Sequence, residues 1–372
     1  MKILISCLSH SWGGMEMFAV HSAEQLLKYN FDVYLFCLEG SRIDHNSNFI
    51  SDQKKLKAKS NAYFNLKSIF QLKRFLIQND IDLIHTQFSR DLWTISPALM
   101  LIKKKIPLVF TKQLGSFVKK KDFLHKLIYK KVDKAIAISR VIKQNLIETT
   151  PLDDDKIVII PNVVDLEKFN PSKYDRNKIR KELGLSGDTF VFTNIARLSP
   201  GKGQDTILKA IIPIKEKLKD TIFFFVGEAE NSEKFYEEYL INLIKENSLD
   251  ELVKFLGFRK DIPEILSASD AFLFPSYAEA FGISLVEAMA MGLPNIVCKA
   301  DGVLDIIIEN ETSLVFDRND IKKFSENILK IRFDDDLRKK LNLKSLERAK
   351  EFSFESYNEK IIELYKSLKK NF

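Results

Sequence analysis

At 372 residues, with 45% hydrophobic and 29% charged content, the chain is too long for one ordinary core and too apolar to be disordered. Its net charge of +7 is uneven: residues 1–170 carry 26 Lys+Arg against 17 Asp+Glu and the remainder 32 against 34, so the N-terminal part is the one suited to an anionic partner. Three cysteines (Cys7, Cys37 and Cys298), odd in number and set in apolar runs, exclude a disulfide framework or metal set and read as buried reduced thiols of a cytosolic protein.

Met1 and Lys2 precede an apolar stretch broken by Ser6, Ser9 and His10, too short for a signal-peptide core, and no run reaches transmembrane length. KILISCL opens as a buried strand, followed by the Gly13-Gly14 turn and a helix predicted from about Met17 to Tyr29. FDVYLFCL is the next strand, a helix runs through LKSIFQLKRFLIQ to the strand IDLIHTQ, and another helix leads to IPLVFTKQ. A basic helix is predicted from about Lys121 to Lys131, then the strand KAIAIS. Short apolar strands alternating with helices imply a parallel sheet covered on both faces.

IPNVVDLEKFNP, with Pro161 and Pro171, breaks the periodicity and reads as an interdomain connection. Beyond it the alternation restarts with TFVFTNIA, a helix through TILKAIIPI, TIFFFVG, a helix, LVKFLG, a short helix, AFLFP, PNIVC and SLVF. This is a second parallel sheet. FSFESYNEKIIELYKSL closes the chain as an amphipathic helix.

Ligands of open parallel sheets bind outside the carboxyl ends of the strands, so the residues there are the candidates. In PSYAEAFGISLVEAMAMGLP, Glu279 ends a turn and Phe281, Gly282 and Ile283 lead into a helix carrying Glu287. A helix N-terminus offers unpaired N–H groups and a positive dipole end, which suit a diphosphate, and the two carboxylates then grip hydroxyls on either side of it. Ser284 and Glu287 also fit the S-x-x-E capping box, in which Glu287 only closes its own helix. Arg197 and Lys202, in ARLSPGKG after a strand, offer a guanidinium fork and a point charge to phosphate oxygens. Gly257, Phe258 and Arg259 form a turn that presents backbone to a nucleobase edge and a ring to its face.

ARLSPGKG, the VGEAE turn, LGFRKDI and EAFGISLVE, in that order, together with WGGME, IAIS and IPNVVDLEKF, resemble the retaining GT-B glycosyltransferases of glycosyltransferase family 4 over almost the whole chain. The resemblance implies an α/β protein of two Rossmann-like, doubly wound parallel-sheet domains facing a central cleft. Residues 1–165 would be the acceptor-binding domain and 172–354 the donor-binding domain, with the helix 355–372 crossing back onto the first. Arg197 and Lys202 would hold the donor diphosphate, Glu279 the donor sugar and Glu287 the ribose hydroxyls. Backbone at Phe281, Gly282 and Ile283 would meet phosphate and sugar, Gly257 with Phe258 would frame the base, and Gly14 would approach the diphosphate. Relatives often carry a histidine after the strand equivalent to IPLVFT; here Gln113 stands there, able to bond a hydroxyl but not to act as acid or base at neutral pH. His85 and His125 are the other histidines weighed for that role.

The implied reaction moves a sugar from a nucleotide diphosphate to a glycan or lipid-linked acceptor in bacterial lipopolysaccharide or capsule synthesis. Cations and a helix end stabilise the leaving group, so neither metal nor other cofactor is expected. The acidic triplets Asp153–Asp155 and Asp334–Asp336 read as solvated caps. Lys103, Lys104, Lys105, Lys119, Lys120, Lys121, Lys126, Lys130 and Lys131, with Phe117, Phe123 and Leu124 between them, suit either a solvated face or the anionic inner leaflet. No nucleic-acid recognition motif is present. Two other readings keep the fold: a non-catalytic partner subunit, suggested by Gln113, and a sugar-nucleotide epimerase.

Overall fold

The computed structural model describes residues 1–370, so the last two positions of the helix expected over 355–372 lie outside the described residues. The chain divides into two compact units, Met1–Pro161 with the chain from Tyr357 onward, and Asn162–Ser356.

The first unit holds a seven-stranded parallel sheet of β1 (Lys2–Cys7), β2 (Asp32–Leu38), β3 (Lys55–Ala58), β4 (Leu83–Thr86), β5 (Leu108–Lys112), β6 (Lys134–Ala137) and β7 (Ile157–Ile159), in the order β3-β2-β1-β4-β5-β6-β7. The second holds a six-stranded parallel sheet of β8 (Phe190–Ile195), β9 (Thr221–Val226), β10 (Val253–Gly257), β11 (Ala271–Phe274), β12 (Asn295–Cys298) and β13 (Ser313–Phe316), in the order β10-β9-β8-β11-β12-β13. Strand order therefore reverses between β1 and β4 in one sheet and between β8 and β11 in the other. The central strands are continuous apolar runs because helices cover both faces. Phe192 stacks on Phe223 and Phe316 on Phe324 at ring separations of 5.0 and 4.2 Å, giving the second core its aromatic filling. All three cysteines are buried and unpaired.

Several elements depart from the periodicity. The first helix runs Gly14–Lys28 and starts directly at the glycine pair. The basic helix is shorter than expected, Phe123–Tyr129, because the Asp122 carboxylate accepts from the His125 N–H and starts it there, which leaves Lys119, Lys120 and Lys121 in the preceding loop. The edge strand β3, the helix Arg140–Thr149 and the three-residue β7 were not anticipated. The last helix, Phe354–Lys370, places Tyr357 edge-on against Phe18 and Tyr365 against His85 in the first unit. Among the described residues no helix is long and apolar enough to cross a membrane.

Candidate active site

In the second unit the motif residues gather at the carboxyl ends of β8 and β11, where strand order reverses and a crevice opens. Arg197 stands two residues beyond β8. Its carbonyl accepts from Gln204 Nε2 (3.0 Å), and its guanidinium pairs with Glu230 and with Glu233 of the turn after β9. Ser199 Oγ donates to Glu233 (2.5 Å), which fixes that carboxylate. Lys202 Nζ donates to Glu279 Oε1 at 2.5 Å, and Ser276 Oγ donates to the same oxygen at 2.9 Å. The structure thus joins Lys202 to Glu279 directly, while Arg197 pairs with different carboxylates.

Glu279 is held by backbone as well. The Gly302 N–H donates to its carbonyl (3.1 Å), and a Cβ on Gly302 would lie 2.3 Å from the Ala280 carbonyl oxygen. Only glycine lets the turn Asp301–Asp305 approach so closely.

Gly282 caps the helix Ile283–Ala290 with φ +116°, a left-handed conformation natural to glycine, and contributes no side chain of its own. The Ile283 and Ser284 N–H groups stand ahead of the first bond of that helix, Leu285 N–H to the Gly282 carbonyl (3.1 Å), at its crevice end. Phe281 is buried edge-on against Phe352 (5.7 Å), so its side chain anchors the turn and only its backbone is available, whereas Ile283 is exposed. Ser284 Oγ donates to the Ile195 carbonyl (3.2 Å), tying the helix start to the end of β8.

This corrects the capping-box reading of Glu287. The cap is Gly282, not Ser284, which puts Glu287 on the fifth helical residue, beyond reach of the helix's open N–H groups. Glu287 is half-buried, and no donor among the described residues meets its carboxylate. Burial pushes that carboxyl up to about 7, with the Lys168 ammonium pulling the other way.

A pocket of about 420 Å³ opens at the ends of β8 and β9, walled by Ile195, Arg197, Val226, Glu228, Phe258 and Ile262. Phe258 is 65% exposed, and its N–H donates to Glu228 Oε1 (3.1 Å). Gly257 stands behind this wall, its carbonyl accepting from the Gly227 N–H at 2.8 Å. Arg259 turns to Asp261 (Nε–Oδ1 2.8 Å). The mainly apolar wall with one open ring suits a flat heterocycle.

Gly14 and Gln113 belong to the first unit. Gly14 is the first residue of its helix, and a Cβ there would meet nothing within 4 Å, so crowding by this chain does not require glycine. The preceding turn is closed by Glu16, which accepts from the Gly13 N–H (3.0 Å) and Ser9 Oγ (2.5 Å). Gln113 Nε2 donates to Gln87 Oε1 (3.5 Å), and Gln87 Nε2 lies 3.3 Å from His85 Nε2. His85 is wholly buried between Tyr365 Oη (2.6 Å) and Thr111 Oγ1 (2.7 Å), and burial lowers its pKa to about 3. It is a neutral structural ring. His125 packs edge-on against Trp93 and pairs with its helix cap, Asp122.

Sequence reasoning missed the partners: Glu230 and Glu233 for Arg197, Ser276 and Gly302 for Glu279, Lys168 for Glu287. It also missed Asp91, wholly buried at the other reversal point, which accepts from Ser6 Oγ (2.6 Å), the Leu8 N–H (3.2 Å) and Thr86 Oγ1 (3.1 Å). The lone glycine of ADGVLD was the only available hint of the Glu279 support.

The model of the glycosyl transferases group 1 family matches residues 175–348, and that of glycosyltransferase family 4 matches residues 12–168. The chain is 30% identical over 343 residues to the UDP-Gal:alpha-D-GlcNAc-diphosphoundecaprenol alpha-1,3-galactosyltransferase of Escherichia coli, covering 86% of this chain and 85% of that protein. It is 25% identical over 239 residues to a D-inositol 3-phosphate glycosyltransferase of Actinosynnema mirum, 63% of this chain and 57% of that one. A glycosyltransferase structure from Rickettsia africae superposes with a TM-score of 0.87 at 21% identity, covering 100% of this chain and 99% of that one. Anabaena HepE, solved with UDP and glucose, superposes with a TM-score of 0.77 at 23% identity, covering 99% and 100%. At these identities the superpositions speak for the fold.

Proposed function

We propose, from the premise that the chain belongs to glycosyltransferase family 4 and carries the two parallel sheets of the GT-B fold, that it moves a sugar from a nucleotide-diphosphate donor to a lipid-linked or glycan acceptor. The observation that carries this reading is the Lys202–Glu279 pair beside the Gly282-capped helix, at the reversal point of the second sheet.

As the glycosidic bond breaks, negative charge grows on the departing diphosphate and positive charge on the sugar ring. Arg197, Lys202 and the N–H groups at Gly282 are the donors for the first charge, and their preorganisation is what lowers the barrier. In the free protein these cations rest on carboxylates. A diphosphate would take over both, with charge-assisted hydrogen bonds at least as strong. Glu279, already oriented by Ser276 and Gly302, is the group for the sugar. Glu287, once ionised, is the acceptor for ribose hydroxyls, and the pocket at Phe258 is the seat of the base.

Retention at the anomeric carbon, metal independence and a place in bacterial surface-polysaccharide synthesis at the inner face of the cytoplasmic membrane are parts of the same proposal. The acceptor class draws support from the name of the E. coli relative, a galactosyltransferase acting on a diphosphoundecaprenol-linked sugar. UDP-galactose is accordingly the first donor to test. Incubation with UDP-, GDP- and ADP-sugars should give binding or slow donor hydrolysis with one of them, undiminished by EDTA. Silence across the panel sinks the reading, and loss in EDTA removes its metal-free part. The anomeric configuration of the product, read by NMR, decides retention.

A further inference from the structure

We propose that Lys112 and Lys120, at the carboxyl end of β5 in the first unit, form a binding site for a phosphate or diphosphate group on the acceptor. This rests on the reading of the chain as a transferase with a phosphate-bearing acceptor.

Lys112 is the last residue of β5 and only 9% exposed, and among the described residues no carboxylate or carbonyl reaches its amino group. An ammonium on a buried stem, without an acceptor inside the protein, is stabilised by an anion that reaches it from outside. Burial, and secondly the Lys120 charge, lower its pKa to about 8. Lys120 is itself half-buried and depressed by burial. Two cations that act on one another at a partly buried strand end, neither amino group paired with a carboxylate among the described residues, suit an anion.

The loop that carries Lys120 is held in place. Residues 113–122 are stapled down on the helix Arg140–Thr149: the Ser116 N–H donates to Asn145 Oδ1 (2.8 Å), Asn145 Nδ2 returns a bond to the Ser116 carbonyl (2.9 Å), and the Lys120 N–H donates to the Thr149 carbonyl (2.6 Å). Lys121 Nζ donates to the Ile147 carbonyl (2.9 Å), which takes that lysine out of the site. Strand alternation turns Lys112 to the face opposite Thr111, whose hydroxyl serves His85. In register with Lys112 on β6 is Ala137, two residues before the Ser139 cap of that same ten-residue helix, so a positive helix end lies on the same edge of the sheet. That edge is where open sheets bind their ligands.

The loop also supplies an apolar flank. Leu114, Phe117 and Val118, in the loop between Lys112 and Lys120, are exposed, Phe117 fully. A phosphate attached to an isoprenoid chain presents this combination of charge and grease, whereas a free sugar phosphate uses only the charge.

The test is site-resolved acetylation of the whole chain at mild alkaline pH, read by mass spectrometry, with and without inorganic diphosphate or farnesyl diphosphate. The bound anion should slow acetylation of Lys112 about tenfold at roughly ten times its dissociation constant, with Lys104, already paired with Asp80, unaffected. Lys120→Met should weaken that protection severalfold. Stronger protection by farnesyl than by inorganic diphosphate assigns the apolar flank to a lipid; equal protection assigns the site to phosphate alone. An unchanged Lys112 rate with both anions overturns the proposal. UDP binding by the same preparation is read separately: a protein that binds UDP without protecting Lys112 loses only this site, and one that protects Lys112 without binding any nucleotide loses the donor reading instead.

Discussion

The two sheets reverse their strand order at equivalent places and use those places differently. Between β1 and β4 the polar groups are committed to the protein: Asp91 accepts from three groups of its own unit, Glu16 closes the Gly13 turn, and His85 is a neutral ring between two hydroxyls. Between β8 and β11 the cations Arg197 and Lys202 rest on partly exposed carboxylates, pairs that an incoming anion can exchange. Two carboxyls make the contrast sharp. Burial pushes both Asp91 and Glu287 up to about 7, yet the oxygens of Asp91 are occupied and those of Glu287 meet no donor among the described residues. The same topological opening thus serves as a structural joint in one unit and as a chemical site in the other.

Lys202→Met should do the most to sharpen that contrast. Removing one preorganised cation from the departing charge lowers kcat/KM for the donor by about 10²–10³, measured with donor and acceptor in steady state. A loss below about threefold would break the assignment. Next comes a swap of readouts. Asp91→Ala strands three buried donors and should cost on the order of 3 kcal/mol in urea unfolding. Glu279→Ala should change stability by less than about 1 kcal/mol, since its pair sits partly in solvent, while severely reducing turnover. Equal stability losses in the two variants would erase the distinction between joint and site.

The pH dependence of nucleotide binding is a smaller effect with a definite sign. Ionised Glu287 accepts hydroxyls more strongly than its neutral acid, so with its carboxyl near 7, UDP affinity by calorimetry should fall severalfold between roughly pH 8 and pH 6, and Glu287→Gln should flatten the profile. Because its folded pKa is raised, this group favours folding while protonated and loses that contribution as pH rises through about 7. Glu287→Gln should therefore raise the thermal midpoint more at alkaline than at acid pH. Ser276→Ala removes one of two tethers on the Glu279 carboxylate and should cost only severalfold in kcat, without altering nucleotide affinity.

Much of this was legible in the residues. The strands announce themselves as apolar runs because both faces of each sheet are covered, and the site loops were found because strand ends are where ligands bind. β3 escaped because KLKA is an edge strand, where alternating lysines replace the apolar run. β7, at three residues, is too short to carry a period. Pairing was not legible. Lys202 meets Glu279 across 77 residues and Arg197 meets Glu230 across 33, and only the spatial order of strands brings them together. The capping box failed because S-x-x-E marks a helix start only when the serine stands at the cap, and Gly282 had already turned the chain two residues earlier. Lys112 offered no signal, since a lysine ending a strand ordinarily reaches water.

The bond between His85 and Tyr365 joins residues 280 positions apart, and both partners are wholly buried. The second unit is contiguous from Asn162 to Ser356, but the first needs the chain from Tyr357 onward to complete it. During synthesis the half that is translated first is therefore finished last. Until the last helix arrives, the unit that begins the chain has an open flank, with Phe18 uncovered and the His85 ring short of a partner. A chain truncated after residue 356 should resist protease over the second unit and remain cleavable in the first, a late-closing order imposed by one helix.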